Sequence, residues 1–236
     1  MIGASGEVGE GVVRQLLAAG HDAVGSARGQ AGLDALITRL GHPARLTTVR
    51  GSLASVASAL ALADAVGPVD AVIVAVNAMR APSRLDTLTP EALAHHMHAD
   101  VLTHFIAVRV FLPLLPKHGC FLGIGGGAAD FILEGGAHVS MAQAALRQMY
   151  RGLAFERQTD APALRELIVA SVVAGRNHAI QDGAWVTADE LGARVTEIVA
   201  DPAAFAGTIW RIARRDASGH PRFTHEEGTP ARALPL

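Results

Sequence analysis

Three glycines near the N-terminus carry the first chemical signal. In "MIGASGEVGEG", Gly3, Gly6 and Gly9 fall three residues apart, and an apolar helical pattern follows at once. Glycine at that spacing lets the backbone turn tightly and brings main-chain amides close to a diphosphate at a helix N-terminus. Without a ligand, the same turn would serve only to pack a strand on a helix. Side chains for proton chemistry are scarcer. The chain has one lysine, Lys117, and one tyrosine, Tyr150. Ala154 stands four residues after Tyr150, and Pro113 four before Lys117, so the sequence contains no Tyr-x-x-x-Lys pair.

Other reactive side chains have simpler readings. In "HHMH", His95 and His98 are three apart and can share a helix face. Zinc takes three or four ligands with fixed supporting partners, and no cysteine lies near, so no metal site is expected. Cys120 sits inside an apolar run and reads as a packing residue.

Composition narrows the class. The chain has 236 residues, half of them hydrophobic, enough for one domain with a full core. The net charge of −2 gives no electrostatic footprint for nucleic acid or an anionic membrane. A single cysteine excludes an internal disulfide and suits a reducing, cytoplasmic setting. The apolar run "HFIAVRVFLPLLP" is interrupted by Arg109, which argues against a membrane span.

Short apolar runs alternate with amphipathic stretches, the pattern of a parallel sheet with crossover helices. Strands are expected at 21–28, 44–52, 69–79, 119–127, 164–175 and 207–215. Helices are expected after the glycine turn to Gly20, then at 32–41, up to about 66, and at 89–114, 138–158 and 187–201. Residues 1–215 thus form one α/β domain, a single Rossmann-like doubly wound parallel sheet with helices on both faces. Residues 216–236 read as an irregular tail. The first strand is short, because only Met1 and Ile2 precede Gly3. A central strand usually runs five or six residues, and each missing apolar residue would cost roughly 1.5–3 kcal/mol. The natural protein is therefore expected to carry further residues before Met1.

Over residues 1–215 the order of elements resembles the short-chain dehydrogenase/reductase family, as an atypical member. "GASGEVG" is similar to its glycine motif, and "DAVIVAVNAM" stands where the family writes an Asn-Ala-Gly strand end. "LTPEALAHHMHADVLTHFIAVRVFLPLL" looks like its long central helix, and "VASVVAG" replaces the strand that usually ends in Pro-Gly. The resemblance implies a nicotinamide dinucleotide held by Gly3, Ser5, Gly6, Val8 and Gly9, with Ser52, Asn77, Gly126, Gln143 and Gly175 around it. At the end of the second strand the chain has Ala27 and Arg28 in place of an acid. A guanidinium binds a 2′-phosphate that a carboxylate would repel, so NADP(H) is favoured over NAD(H).

The catalytic set departs from the family. Its Lys position falls on Gln143, its Tyr position on Val139, its Ser position on or near Gly126 and its Asn position on Asp100. Three side chains stand as substitute proton donors. His138 precedes the Tyr position, but a solvated residue at a helix start is the plain alternative. Asp130 lies in the loop bordering the substrate, where aspartates commonly form turns. Asp100 shares a helix stripe with His96 and His104, which would equally suit a polar subunit contact. Ser140 is expected to cap the helix that starts near it. Three functions stay open: an oxidoreductase on a small carbonyl or alcohol using a substitute acid or water, a non-redox lyase, isomerase or cyclase, and a non-catalytic sensor or partner subunit. The resemblance also implies a homo-oligomer, a dimer or tetramer formed through the two long helices.

Overall fold

The computed structural model describes residues 1–77, 81–157, 161–176, 178 and 182–226. Strands β1 (Ala23–Ala27), β2 (Leu46–Arg50), β3 (Ala71–Val74), β4 (Cys120–Gly126) and β5 (Ala163–Ala170) are parallel to their partners. Two short strands, β6 (Val173–Ala174) and β7 (Val186–Thr187), follow and pair parallel with each other, and then β8 (Ile209–Arg215) lies parallel beside β5. Apart from the β6-β7 pair, two hydrogen-bonded blocks result, β1-β2 and β3-β4-β5-β8-β9, the last strand being β9 (Pro221–His225). The residues around Ile2 join them. Ile2 donates to Ile73 and accepts from Ala75, while the carbonyl of Met1 accepts from Ser26.

Alternation along the strands sorts the core to the two faces. On one face, Ile73, Leu122, Ile124 and Leu167 meet α1 (Glu7–Ala18) and α7 (Ala188–Ala200). These two helices touch at Gly11 and Gly192, where an added Cβ would overlap the backbone of the other helix. On the other face, Val72, Val74, Phe121 and Ile168 meet α3 (Val56–Val66), α5 (Thr103–Phe111) and α6 (Ala137–Glu156). Helix α2 (Gln30–Arg39) covers β1 through Leu36. Helices on both faces of a mostly parallel sheet are the expected fold class.

Three details correct the sequence reading. The helix expected at 89–114 is not uniform. It consists of α4 (Pro90–Met97), a π-helical turn at His98–Leu102, α5 and a short 3₁₀ end. By length and hydropathy alone Pro90–Leu114 is apolar enough to cross a membrane, yet half of it is buried against the protein. Second, the tail from Asp216 is not irregular throughout. Asp216 and Gly219 close a turn, and β9 then pairs antiparallel with β8, stacking Phe223 on Trp210. Residues 227–236 lie outside the described residues. Third, Ser140 does not cap α6. That helix begins at Ala137, and the Ser140 hydroxyl accepts from the Leu133 amide of the preceding loop.

The Met1 nitrogen donates to the Val24 carbonyl at 2.7 Å. Beside it, between β1 and β3, lies a cavity of about 680 Å³ lined by Leu16, Val24, Ile73, Phe111 and Val199 among others.

Candidate functional site

The glycine turn is built by sterics. Gly3 has φ +89°, and a Cβ there would overlap the Ala75 carbonyl oxygen; a Cβ on Gly9 would overlap the Gly3 carbonyl oxygen. Gly6, the N-cap of α1, is less constrained, its Cβ position lying 3.3 Å from Gly3 O. No side chain caps this helix end. The first-turn amides of a helix have no acceptor within the helix, and together with the helix dipole they suit an anion. Val8 packs against the α1–α7 core, and Ser5 faces Gly32 of α2. Arg28 is exposed at the end of β1, and the Ser52 hydroxyl accepts from the Ala54 amide in the loop after β2.

Gly175 joins this group from far along the chain. A Cβ there would come within 2.6 Å of the Glu7 carboxylate, so the turn after β6 lies directly on the first turn of α1. The His178 ring contacts the same carboxylate at 2.9 Å. Arg176 donates to Glu10 at 2.8 Å and to the Ser5 carbonyl at 3.4 Å.

A second group forms beyond β4. Gln143 accepts from the Gly126 amide at 2.5 Å and donates to Asn77 Oδ1 at 3.2 Å. Asn77, Gly126 and Gln143, separated widely in sequence, thus make one chain. Behind them, Glu166 of β5 fills the space that a side chain on Gly125 would need, and is 1% exposed. Desolvation raises its carboxyl from 4.5 to about 8, despite the lowering effect of Arg147, so it is mostly protonated near neutrality.

Each expected proton donor has surroundings of its own. Asp130 is bound by Arg147 at 2.6 Å and Arg211 at 2.5 Å. Partial burial pushes its carboxyl up, but these two guanidiniums outweigh that and hold it below the usual range. Its carboxylate is thus tied to α6 and β8. His138 is 1% exposed and stacks on His96 with centroids 4.6 Å apart, in the packing of α6 against α4. Its solvated-residue reading is corrected, since burial removes it from water. Asp100 is buried in the π-helical turn. The lone tyrosine is a core residue, 0% exposed, with its hydroxyl 3.0 Å from His104 Nδ1. Burial raises the Cys120 thiol to about 12, in keeping with packing.

Sequence reasoning missed Glu166, Arg176, His178 and the acids Glu7 and Glu10. Only Glu166 left a signal, a charge on the buried side of the strand "ALRELIVA". The others acquire meaning only when the turn after β6 meets α1.

The geometry fits a dinucleotide: a turn that admits no Cβ at Gly3 or Gly9, first-turn amides without an acceptor inside the helix, and polar side chains at the strand ends. Residues 3–113 match a family of NAD(P)H-binding proteins. No curated protein matches the chain. Among solved structures, a short-chain dehydrogenase/reductase from Serratia marcescens superposes with a TM-score of 0.77 at 15% identity, covering 90% of this chain and 94% of that one. One described as glucose/ribitol dehydrogenase, from Brucella melitensis, gives 0.73 at 19%, covering 90% and 93%. A carbonyl reductase from Pseudomonas aeruginosa gives 0.69 at 20%, covering 94% and 96%. The fold is that of the short-chain dehydrogenase/reductases.

Proposed function

We propose that this chain binds NADP(H) and transfers hydride between the nicotinamide and a small carbonyl or alcohol. The observation that carries the reading is the cradle at Gly3 and Gly9, where only glycine fits. Main-chain amides of the first turn of α1 would hold the diphosphate, and the exposed Arg28 would take the 2′-phosphate. The cofactor supplies the hydride chemistry; the protein supplies position and charge. Asn77 and Gln143 would orient the nicotinamide side. With no tyrosine or lysine there, the proton comes from water held by this amide chain, in place of His138, Asp100 or Asp130. General acid catalysis contributes about 10²–10⁴-fold, so turnover would be slow by that factor.

A second reading follows from Gln143. Its amide is already committed to Gly126 and Asn77, which leaves no ionisable group in that chain and suits a dinucleotide sensor without catalysis. Exposed Leu102, Phe105, Met141 and Phe155 on the long helices suit a homo-oligomer, and the buried, reduced Cys120 suits the cytoplasm.

NADPH fluorescence on the purified protein tests binding, and nicotinamide absorbance against a panel of carbonyls tests turnover. Binding with consumption supports the oxidoreductase, and binding alone supports the sensor. No binding by either NADPH or NADH overturns both. Arg28→Ala is expected to weaken NADPH by about tenfold or more, roughly 1.4 kcal/mol per decade, and NADH little. Equal losses would reject the NADP assignment.

A further inference from the structure

The first turn of α1 contains a conflict. It offers amides to a diphosphate, yet it carries two acids of its own, Glu7 and Glu10. The turn after β6 answers both. His178 sits on Glu7, its backbone amide also donating to that carboxylate at 3.4 Å. Glu10 is held by three guanidiniums, from Arg14 at 3.0 Å, Arg39 at 2.8 Å and Arg176 at 2.8 Å. Arg14 also meets Asp189, so Glu10 has more cationic partners than it needs to stay paired.

The three arginines are not equivalent. Arg14 also pairs with Asp189 of α7, and Arg39 is fixed on α2. Arg176 alone reaches the glycine turn, through the Ser5 carbonyl, and its side chain is 38% exposed whereas that of Glu10 is 9% exposed. Should Arg176 turn away, Glu10 keeps two partners and is not left buried and unpaired, the outcome that makes breaking a buried ion pair costly.

Resting on the dinucleotide reading above, we propose that Arg176 is a diphosphate-binding residue, held on Glu10 at the lip of the glycine turn and transferred to the ligand's diphosphate on binding. A planar guanidinium pairs with phosphate oxygens through two parallel charge-assisted hydrogen bonds. Glycine at 175 permits the close seat that brings Arg176 there.

The test titrates wild type, Arg176→Ala and Arg176→Lys with NADPH, ADP-ribose and adenosine 2′,5′-bisphosphate, with thermal melts to confirm that each variant is folded. Arg176→Ala is expected to weaken NADPH and ADP-ribose at least tenfold while leaving the bisphosphate, which lacks a diphosphate, within about twofold. Arg176→Lys, a point charge without the fork, should recover part of the loss. Wild type and Arg176→Ala binding NADPH alike would overturn this role and leave the cofactor reading standing. An equal loss for all three ligands would also overturn it, as a general effect on the fold or field. Failure of wild type to bind any of them would reject the cofactor reading itself, and this role with it.

Discussion

The hydroxyl of Tyr150 lies 3.0 Å from Nδ1 of His104, and both side chains are fully buried. Burial lowers His104 from 6.5 to about 4, against the raising effects of the Val76 carbonyl and Asp100, so the imidazole is neutral near pH 7. Its Nε2 lies 3.3 Å from that carbonyl oxygen, which can only accept. Nε2 therefore bears the proton, and Nδ1 accepts from the tyrosine hydroxyl. Gly123 leaves room for this hydroxyl, since a Cβ there would overlap it. The one tyrosine of the chain holds helix to helix.

Replacing Tyr150 with Phe should thus act on stability alone. It leaves a buried Nδ1 unpaired, at about 1–3 kcal/mol. The melting temperature is expected to fall about 2–4 °C for each of these kcal/mol, with NADPH affinity unchanged. A tenfold loss of affinity at unchanged melting temperature would place Tyr150 in the site instead.

The three glycines of the turn should rank by their surroundings. Gly3→Ala and Gly9→Ala force a Cβ into backbone, and are expected to abolish NADPH binding and lower the melting temperature. Gly6→Ala meets its nearest atom at 3.3 Å and should be milder in both. Titration and melts of the three variants check this order; Gly6→Ala proving the worst would contradict it.

Glu166 predicts a pH effect on stability. Its folded value, about 8, stands above the ordinary 4.5, so the folded state binds the extra proton between these limits. Its stabilising contribution is complete below about pH 4.5 and is lost as pH rises through 8. Glu166→Gln removes the titration while keeping the shape. The variant should match wild type near pH 5 and exceed it above pH 8 by up to a few kcal/mol, at about 1.4 kcal/mol per unit. Denaturant melts at pH 5, 7 and 9 measure the difference.

Asp130→Asn separates structure from chemistry. The change weakens the tie from its loop to α6 and β8 through Arg147 and Arg211, so the melting temperature should fall. NADPH affinity should stay within about twofold, because no part of the glycine turn is touched.

The sequence by itself determined the fold class. Alternating apolar runs with amphipathic helices leave few ways to bury both faces of a sheet, and glycine at 3 and 9 marks a backbone approach that no other residue permits. It also determined that the chain contains no Tyr-x-x-x-Lys spacing, since that is read directly from residue order. Tertiary structure decided which polar side chains meet. Asp130 carries no mark in its own loop of the two arginines that engage it from α6 and β8. His138 and Asp100 are polar in sequence, yet burial and helix packing define their surroundings. Arg176 and Glu10, separated by most of the chain, become partners only because the sheet brings the end of β6 over the first turn of α1. Charge and burial act through space, so their effect on a residue is set by neighbours that spacing along the chain does not reveal.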